Sequence, residues 1–178
     1  MRQDWEPEDL IEVWTLLGDD MKRVRNKSGV ARLGFALLLK FFEVEARFPE
    51  SAHEVPAAAA EYVAQQVKVS AEVWADYDWQ SRTIQRHRGE IRAVYGLLAN
   101  AEEYQDRLAA WPATELCPVE LSRDRLVAAV VAQCRYDHIE PPTPGRIRRL
   151  VGKAAKVHDA ALGRPQDAGD FIDRQEAR

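Results

Sequence analysis

The sequence predicts an all-α fold, a multi-helix domain with two helix-turn-helix-like subdomains. Three observations lead there. Apolar residues recur at spacings of three and four along most of the chain. Pro, Ser, Thr and Gly interrupt that pattern where helices start and stop. Neither sustained alternation nor an Asn-Gly or Asp-Gly hairpin turn occurs, so a sheet is not expected.

The elements follow in chain order, and at least seven helices are expected. Pro7 opens "EDLIEVWTLLG", with Leu10, Val13, Trp14 and Leu17 on one face and Gly18 as the stop. A short basic piece, "DDMKRVRNKSG", comes next. Val30 to Phe48 is apolar around most of its circumference, which marks a central buried helix. Leu33, Leu37, Leu38, Phe41 and Phe42 belong in its core, and Pro49 ends it. Pro56 opens "AAAAEYVAQQV", with Tyr62, Val63 and Val67 inward. Ser70 and Ser81 have N-cap chemistry for the next two helices, the second stopping at Gly96. Further helices cover 101–111, "LSRDRLVAAVVAQCRYDHI", and 144–162, the last behind Thr143 as N-cap and Pro144 as first residue.

The Pro-bounded stretch "PATELCPVE" is the expected boundary between subdomains. The domains are therefore 1–112, an N-terminal helical subdomain carrying a basic helix at 81–95, and 113–162, a second helix-turn-helix-like subdomain. Residues 163–178 read as a flexible polar tail.

Composition limits the function. A chain of 178 residues with 46% hydrophobic content supports a real core. The net charge of −4 excludes a grossly basic polymer binder but leaves room for a local basic patch. No apolar run approaches the roughly 20 residues that span a bilayer, and "MRQDWEPEDL" lacks the apolar core of a signal peptide. The expected compartment is the cytoplasm, with no membrane partner. Two cysteines are too few for a disulfide scaffold. Cys134 and His138 have the i, i+4 spacing of metal ligands, but helical cysteine is usually a small buried hydrophobe, and no metal or cofactor is expected.

The informative charges lie on two helices. At about 100° per residue, Ile147, Leu150, Val151, Ala154 and Val157 share one side of 144–161. Arg146, Arg149, Lys153 and Lys156 stack on a neighbouring stripe, with Arg148 beside them and Asp159 as the lone acid. A solvated helix of this length normally interleaves acids for i, i+4 pairing. In 81–95, Ile84, His87, Ile91, Val94 and Tyr95 form the apolar side, so His87 reads as a core histidine. Arg82, Gln85, Arg86 and Arg92 cluster opposite. Lys22, Arg23, Arg25, Lys27 and Arg32 form a third cluster. It is either a phosphate-contacting loop or a solvated turn balanced by Asp19 and Asp20. Acid-poor cationic faces behind short helices suit phosphate neutralisation, and Arg and Gln also read base edges. A single such face is ordinarily just solvated; two of them together point towards nucleic acid and make binding of double-stranded DNA one open reading.

Four stretches carry a resemblance: "RLGFALLLKFFEVEARFP", "YVAQQVKV", "SRTIQRHRGEIRAVYG" and "PPTPGRIRRLVGKA", in this order. Over about residues 8 to 162 the chain resembles the N-terminal domain of the class II replicative transposases, the Tn-three family. The resemblance implies a helical module that recognises the transposon's terminal inverted repeats. It also implies a following DDE catalytic part on an RNase-H-like fold, which is not expected in this chain, so no catalytic residue is assigned. Ala46 and Ser81 stand where the family pattern has glycine. Leu97-Leu98 replaces an aromatic and an arginine, with the loss of one DNA contact, and "RLAAWPA" is shifted relative to the usual "WL". The resemblance thus points to a truncated or remnant transposase that binds DNA. The alternative is an interaction or regulatory module that pairs with itself or with an intact transposase.

Overall fold

We describe the chain from a computed structural model, which covers residues 4–99, 102–117 and 122–162. Among these residues there are eight α-helices and no β-strand. The all-α expectation therefore holds. The tail at 163–178 lies outside the described residues.

The chain divides into two compact units, Met1–Ala99 and Asn100–Arg178. The first contains α1 (Pro7–Trp14), α2 (Gly18–Val24), α3 (Gly29–Glu45), α4 (Ala57–Val67) and α5 (Arg82–Val94). Short 3-10 helices at Ala52–Glu54 and Ala71–Asp76 fill the connections. The second contains α6 (Glu102–Trp111), a π-helical turn at Pro112–Leu116, α7 (Arg123–Tyr136) and α8 (Pro144–Ala161).

In the first unit α3 is the axis. Leu33, Leu37, Leu38 and Phe41 are fully buried and Phe42 nearly so. They join Trp14 of α1, Val63 and Val67 of α4, Trp74, Tyr77, and Ile84 and Ile91 of α5 in one core. A helix that is apolar all round must be enclosed on every side, and α1, α2, α4 and α5 enclose it. Lys40, also buried, is neutralised by Glu43 one turn on.

Several boundaries differ from the sequence reading, each for a local reason. The first helix stops at Trp14, not Gly18, because Gln66 of α4 holds the chain open there. Its amide accepts from Leu16 N at 2.8 Å and donates to Trp14 O at 3.1 Å. Leu17 is consequently exposed, and Gly18 starts α2 rather than ending α1. The "basic piece" is this helix, whose Asp20 side chain accepts from Leu17 N at 3.0 Å. α3 stops at Glu45, short of Phe48, since Ala46 adopts the left-handed conformation with φ 54° and caps back to Phe42 O. Ser70 precedes a 3-10 helix and makes no side-chain cap.

The predicted boundary at 112 also moves. Tyr104 and Leu108 of α6 are buried with Leu126, Val130, Cys134, Ile147, Val151 and Ala154. α6 therefore belongs with the second unit, and the division falls at 99/100. Pro112 does not break the chain direction into a linker. It begins the π-helical turn, closed by Cys117 N donating to Pro112 O at 2.9 Å.

Ala46, the residue that caps α3, is a position where glycine would relieve strain. A left-handed non-glycine residue costs about 1–2 kcal/mol, and glycine's extra unfolded freedom returns roughly 0.4–1 of that. Ala46→Gly should therefore raise the stability by about 0.5–1 kcal/mol, measured by urea unfolding; a drop in stability would contradict this account of the helix stop. Ser81, the other departure from the family glycines, has φ −72° and needs no glycine.

Candidate nucleic-acid interface

The cationic face of the first unit rests on how α5 is seated. Ser81 caps the helix: its hydroxyl accepts from Ile84 N at 3.4 Å and donates to Asp78 O at 2.9 Å. Ile84, His87 and Ile91 then point into the core with no exposed surface. His87 meets the Phe35 ring edge-on at 5.2 Å and stacks on Tyr77 at 6.0 Å. Its Nδ1 shares a 2.8 Å hydrogen bond with the Tyr77 hydroxyl. Burial, reinforced by the positive charge of Lys27, lowers its pKa to about 4 from the usual 6.5. The imidazole is neutral at physiological pH and serves packing.

With that side inward, Arg82, Gln85 and Arg86 are exposed and Arg92 is half-buried. Arg86 lies 3.8 Å from Glu90, whose other oxygen receives Lys27 Nζ at 2.7 Å. Glu90 is the acid that offsets this face, and it is largely committed to Lys27. Val94 and Tyr95, expected on the apolar side, are each 39% exposed. The core they were meant to enter ends at Ile91, although Tyr95 still meets Phe42 at 5.3 Å between ring centroids. Burial raises the Tyr95 hydroxyl's pKa to about 12.

Sequence reasoning missed Arg88. It is half-buried, donates to Pro49 O at 3.1 Å and covers the Phe48 ring at 5.3 Å. It therefore ties α5 to the end of α3 and is spent on structure. Its position between the charged and apolar faces was the only signal.

The third basic cluster divides. Lys22 pairs with Asp19 at 2.8 Å and Arg23 approaches Asp20 at 3.9 Å. Lys27 is buried over the Phe35 ring at 4.0 Å. Those three behave as a balanced turn and a structural contact. Arg25 is exposed and Arg32 half-buried.

In the second unit α8 is docked by Ile147, Val151 and Ala154, all buried, with Leu150 half-buried. Val157, predicted on this seam, is 54% exposed because the seam ends at Ala154. Thr143 is extended and accepts Ile147 N at its carbonyl, but its side chain makes no cap. Arg146, Arg148, Arg149, Lys153 and Lys156 are all exposed. Among the described residues, Arg148, Arg149, Lys153 and Lys156 show no ion pair with an acid. A Cβ built at Gly145 or Gly152 meets nothing within 4 Å, so both glycines face open space. α7 and α8 are joined by the short turn 137–143, with His138 left-handed at φ 55° and Ile139 N bonded to Cys134 O at 2.9 Å.

That turn also separates the Cys134–His138 pair. α7 ends at Tyr136, so the i, i+4 register needed for joint ligation does not exist. Cys134 is buried, which raises its thiol pKa, and His138 is exposed. Among the described residues no group of three or more His, Cys, Asp or Glu could hold a metal. No helix among them is long and apolar enough to cross a membrane.

A family model described as "Domain of unknown function (DUF4158)" matches residues 1–154, most of the chain. The chain belongs to the DUF4158 family. It is also similar to two curated transposases of Escherichia coli. It is 28% identical over 163 residues to the transposase for transposon Tn21, covering 86% of this chain and 16% of that protein. It is 28% identical over 151 residues to the transposase for transposon Tn3926, covering 83% of this chain and 15% of that protein. This DUF4158 chain is thus transposase-related, and it spans about a sixth of the length of the relatives it matches. The DUF4158 match runs from α1 into α8 and includes every cation singled out above except Lys156.

Proposed function

We propose that this chain is a DNA-binding module that recognises transposon terminal inverted repeats, contributing duplex recognition rather than catalysis. The observation that carries the reading is the cationic face of α8. It presents five exposed cations on a helix docked by a well-buried seam of Ile147, Val151 and Ala154. Arg148, Arg149, Lys153 and Lys156 make no ion pair with an acid among the described residues, so their charge is available to phosphate. The relationship to transposases supplies the context in which DNA is the natural polyanion.

The roles divide along α8. Arg146 and Arg149 lie in its first turns, where the second helix of a helix-turn-helix meets base edges. Lys153 and Lys156 lie further along and hold phosphates. The open sides of Gly145 and Gly152 allow the backbone to approach the duplex closely. In the first unit, Arg82, Gln85, Arg86 and Arg92 present a second contact surface.

The test is a titration against inverted-repeat and scrambled duplexes at several salt concentrations. Arg149→Ala should cost about 1–3 kcal/mol and relax preference at one position. Lys153→Ala should weaken all sequences alike and flatten the salt slope by about one unit. If the double change of Arg146 and Arg149 leaves affinity and preference intact, α8 is only a solvated face. Binding to a transposase instead, with little salt dependence, would establish the interaction-module reading.

A further inference from the structure

We propose that a cavity between α2, the start of α3 and the end of α4 seats a backbone phosphate of the bound duplex, with Arg25 and Arg32 as its donors. The cavity is about 320 Å³ and is open to solvent. Lys22, Arg25 and Arg32 line it together with Met21, Val24 and Val67, and no carboxylate does. Three cations without an acid around one hollow run against a chain whose net charge is −4.

The three cations are not equivalent. Lys22 shares its ammonium with Asp19 at 2.8 Å, which leaves it a supporting charge. Arg32 is half-buried, and its Nε donates to Lys27 O at 2.6 Å. That bond fixes the plane of the guanidinium and leaves its terminal nitrogens available. A fork held in one orientation loses less freedom on meeting an oxyanion than a free one does. Arg25 follows the end of α2, is exposed, and makes no ion pair among the described residues. Its guanidinium has a different origin from that of Arg32, so the two approach a tetrahedral anion from two elements. Val24 and Val67, both buried, contribute apolar lining beside the cations. Lys27 takes no part, because Glu90 and the Phe35 ring already occupy it.

The hollow is roomy enough for a phosphate, and its polar lining consists of cations alone, which suits a backbone contact that adds affinity without sequence preference. It rests on the DNA-binding reading and extends it to residues apart from the cations of α5 and α8.

The experiment measures duplex affinity against salt for the wild type, Arg25→Gln, Arg32→Gln and Lys68→Gln. Lys68→Gln removes the same charge from an exposed site outside the cavity. Arg25→Gln should weaken inverted-repeat and scrambled DNA equally, by about eightfold at roughly 0.1 M salt, and lower the salt slope by about one. Arg32→Gln should do the same, and its urea midpoint shows whether loss of the Lys27 bond has also loosened the fold. Because Arg25 is exposed, its variant decides the matter. If it behaves like Lys68→Gln while the wild type binds DNA, the phosphate seat is overturned and the wider reading stands. If the wild type binds no DNA at any salt, both fall together. A parallel NMR titration with inorganic phosphate separates a free-anion site from a backbone seat. Arginine side-chain signals of Arg25 and Arg32 that move with phosphate but not with duplex would overturn the proposal.

Discussion

Gly34→Ala is expected to destabilise the first unit by about 3 kcal/mol or more. A Cβ at this position would lie 2.1 Å from Tyr77 Cε2, 2.4 Å from Cδ2 and 2.8 Å from Cζ. Such distances cannot be accommodated without moving the ring. Tyr77 has nowhere easy to go, since it stacks on Trp74 at 5.2 Å and meets Trp79 edge-on at 5.7 Å. Overpacking of this kind costs roughly 1–3 kcal/mol. Displacing the ring also breaks the hydrogen bond to His87 in a buried site, worth roughly another 1–3 kcal/mol. The check is urea unfolding of Gly34→Ala, Tyr77→Leu and the double variant. Once Tyr77 is gone the added methyl finds space, so the double variant should lose clearly less than the sum of the two singles. A Gly34→Ala protein as stable as the wild type would mean that the ring does not rest on the α3 backbone.

Gly34 also shows where the sequence was readable and where it was not. The apolar character of α3 announced a buried helix, but the sequence reading drew nothing from the glycine inside it. Its partner was not visible, because Tyr77 lies 43 residues on, just after the 3-10 helix Ala71–Asp76, where no strong period places it. The helices themselves were legible, because α3, α4, α5, α7 and α8 carry clear apolar spacing. Their ends were less so. Gln66 stops α1, and nothing in the local sequence of α1 announces a residue 50 positions away. The unit boundary was misread for a similar reason. Pro112 looks like a linker residue, but Tyr104 and Leu108 before it pack into the second core.

The candidate site divides the same way. The α8 cations are exposed as their stripe predicted, since a helix face needs only its own sequence to be defined. The third cluster was ambiguous in sequence because only part of its pairing is local: Asp19 and Asp20 could be read beside it, while Glu90 is brought in by the fold. Glu90 from α5 takes Lys27, and Asp19 takes Lys22. Arg88, which looks like one more cation of α5, is instead engaged at Pro49 and Phe48. Counting basic residues therefore overstates the face of α5, where Arg86 also has Glu90 within reach, whereas on α8 Arg148, Arg149, Lys153 and Lys156 are exposed with no ion pair to an acid among the described residues.

Acidification should remove about 3 kcal/mol of stability from the first unit through His87 alone. The imidazole has a pKa of about 4 in the folded chain against 6.5 unfolded. Above pH 6.5 both states are neutral at this site, and stability does not depend on it. As the pH falls from 6.5 towards 4, the unfolded chain takes up a proton that the folded chain refuses. Unfolding is then favoured, and the full difference, roughly 3 kcal/mol, is lost once the pH passes below the folded value. The physical cause is burial first, then the nearby charge of Lys27; Glu90 acts the other way and Arg86 adds to the loss. Protonation would also leave the imidazolium with a buried N–H at Nε2, which has no partner among the described residues. His87→Phe keeps the ring contacts with Phe35 and Tyr77 and abolishes the titration. Urea unfolding at intervals between pH 7 and 5 avoids most carboxylate protonation. Over that window the wild type should weaken steadily while His87→Phe stays nearly flat. Equal slopes for the two proteins would show that His87 does not titrate between the folded and unfolded states. The seating of α5, and with it the outward orientation of Arg82, Gln85 and Arg86, would then rest on Ile84 and Ile91 with no pH-dependent contribution from His87.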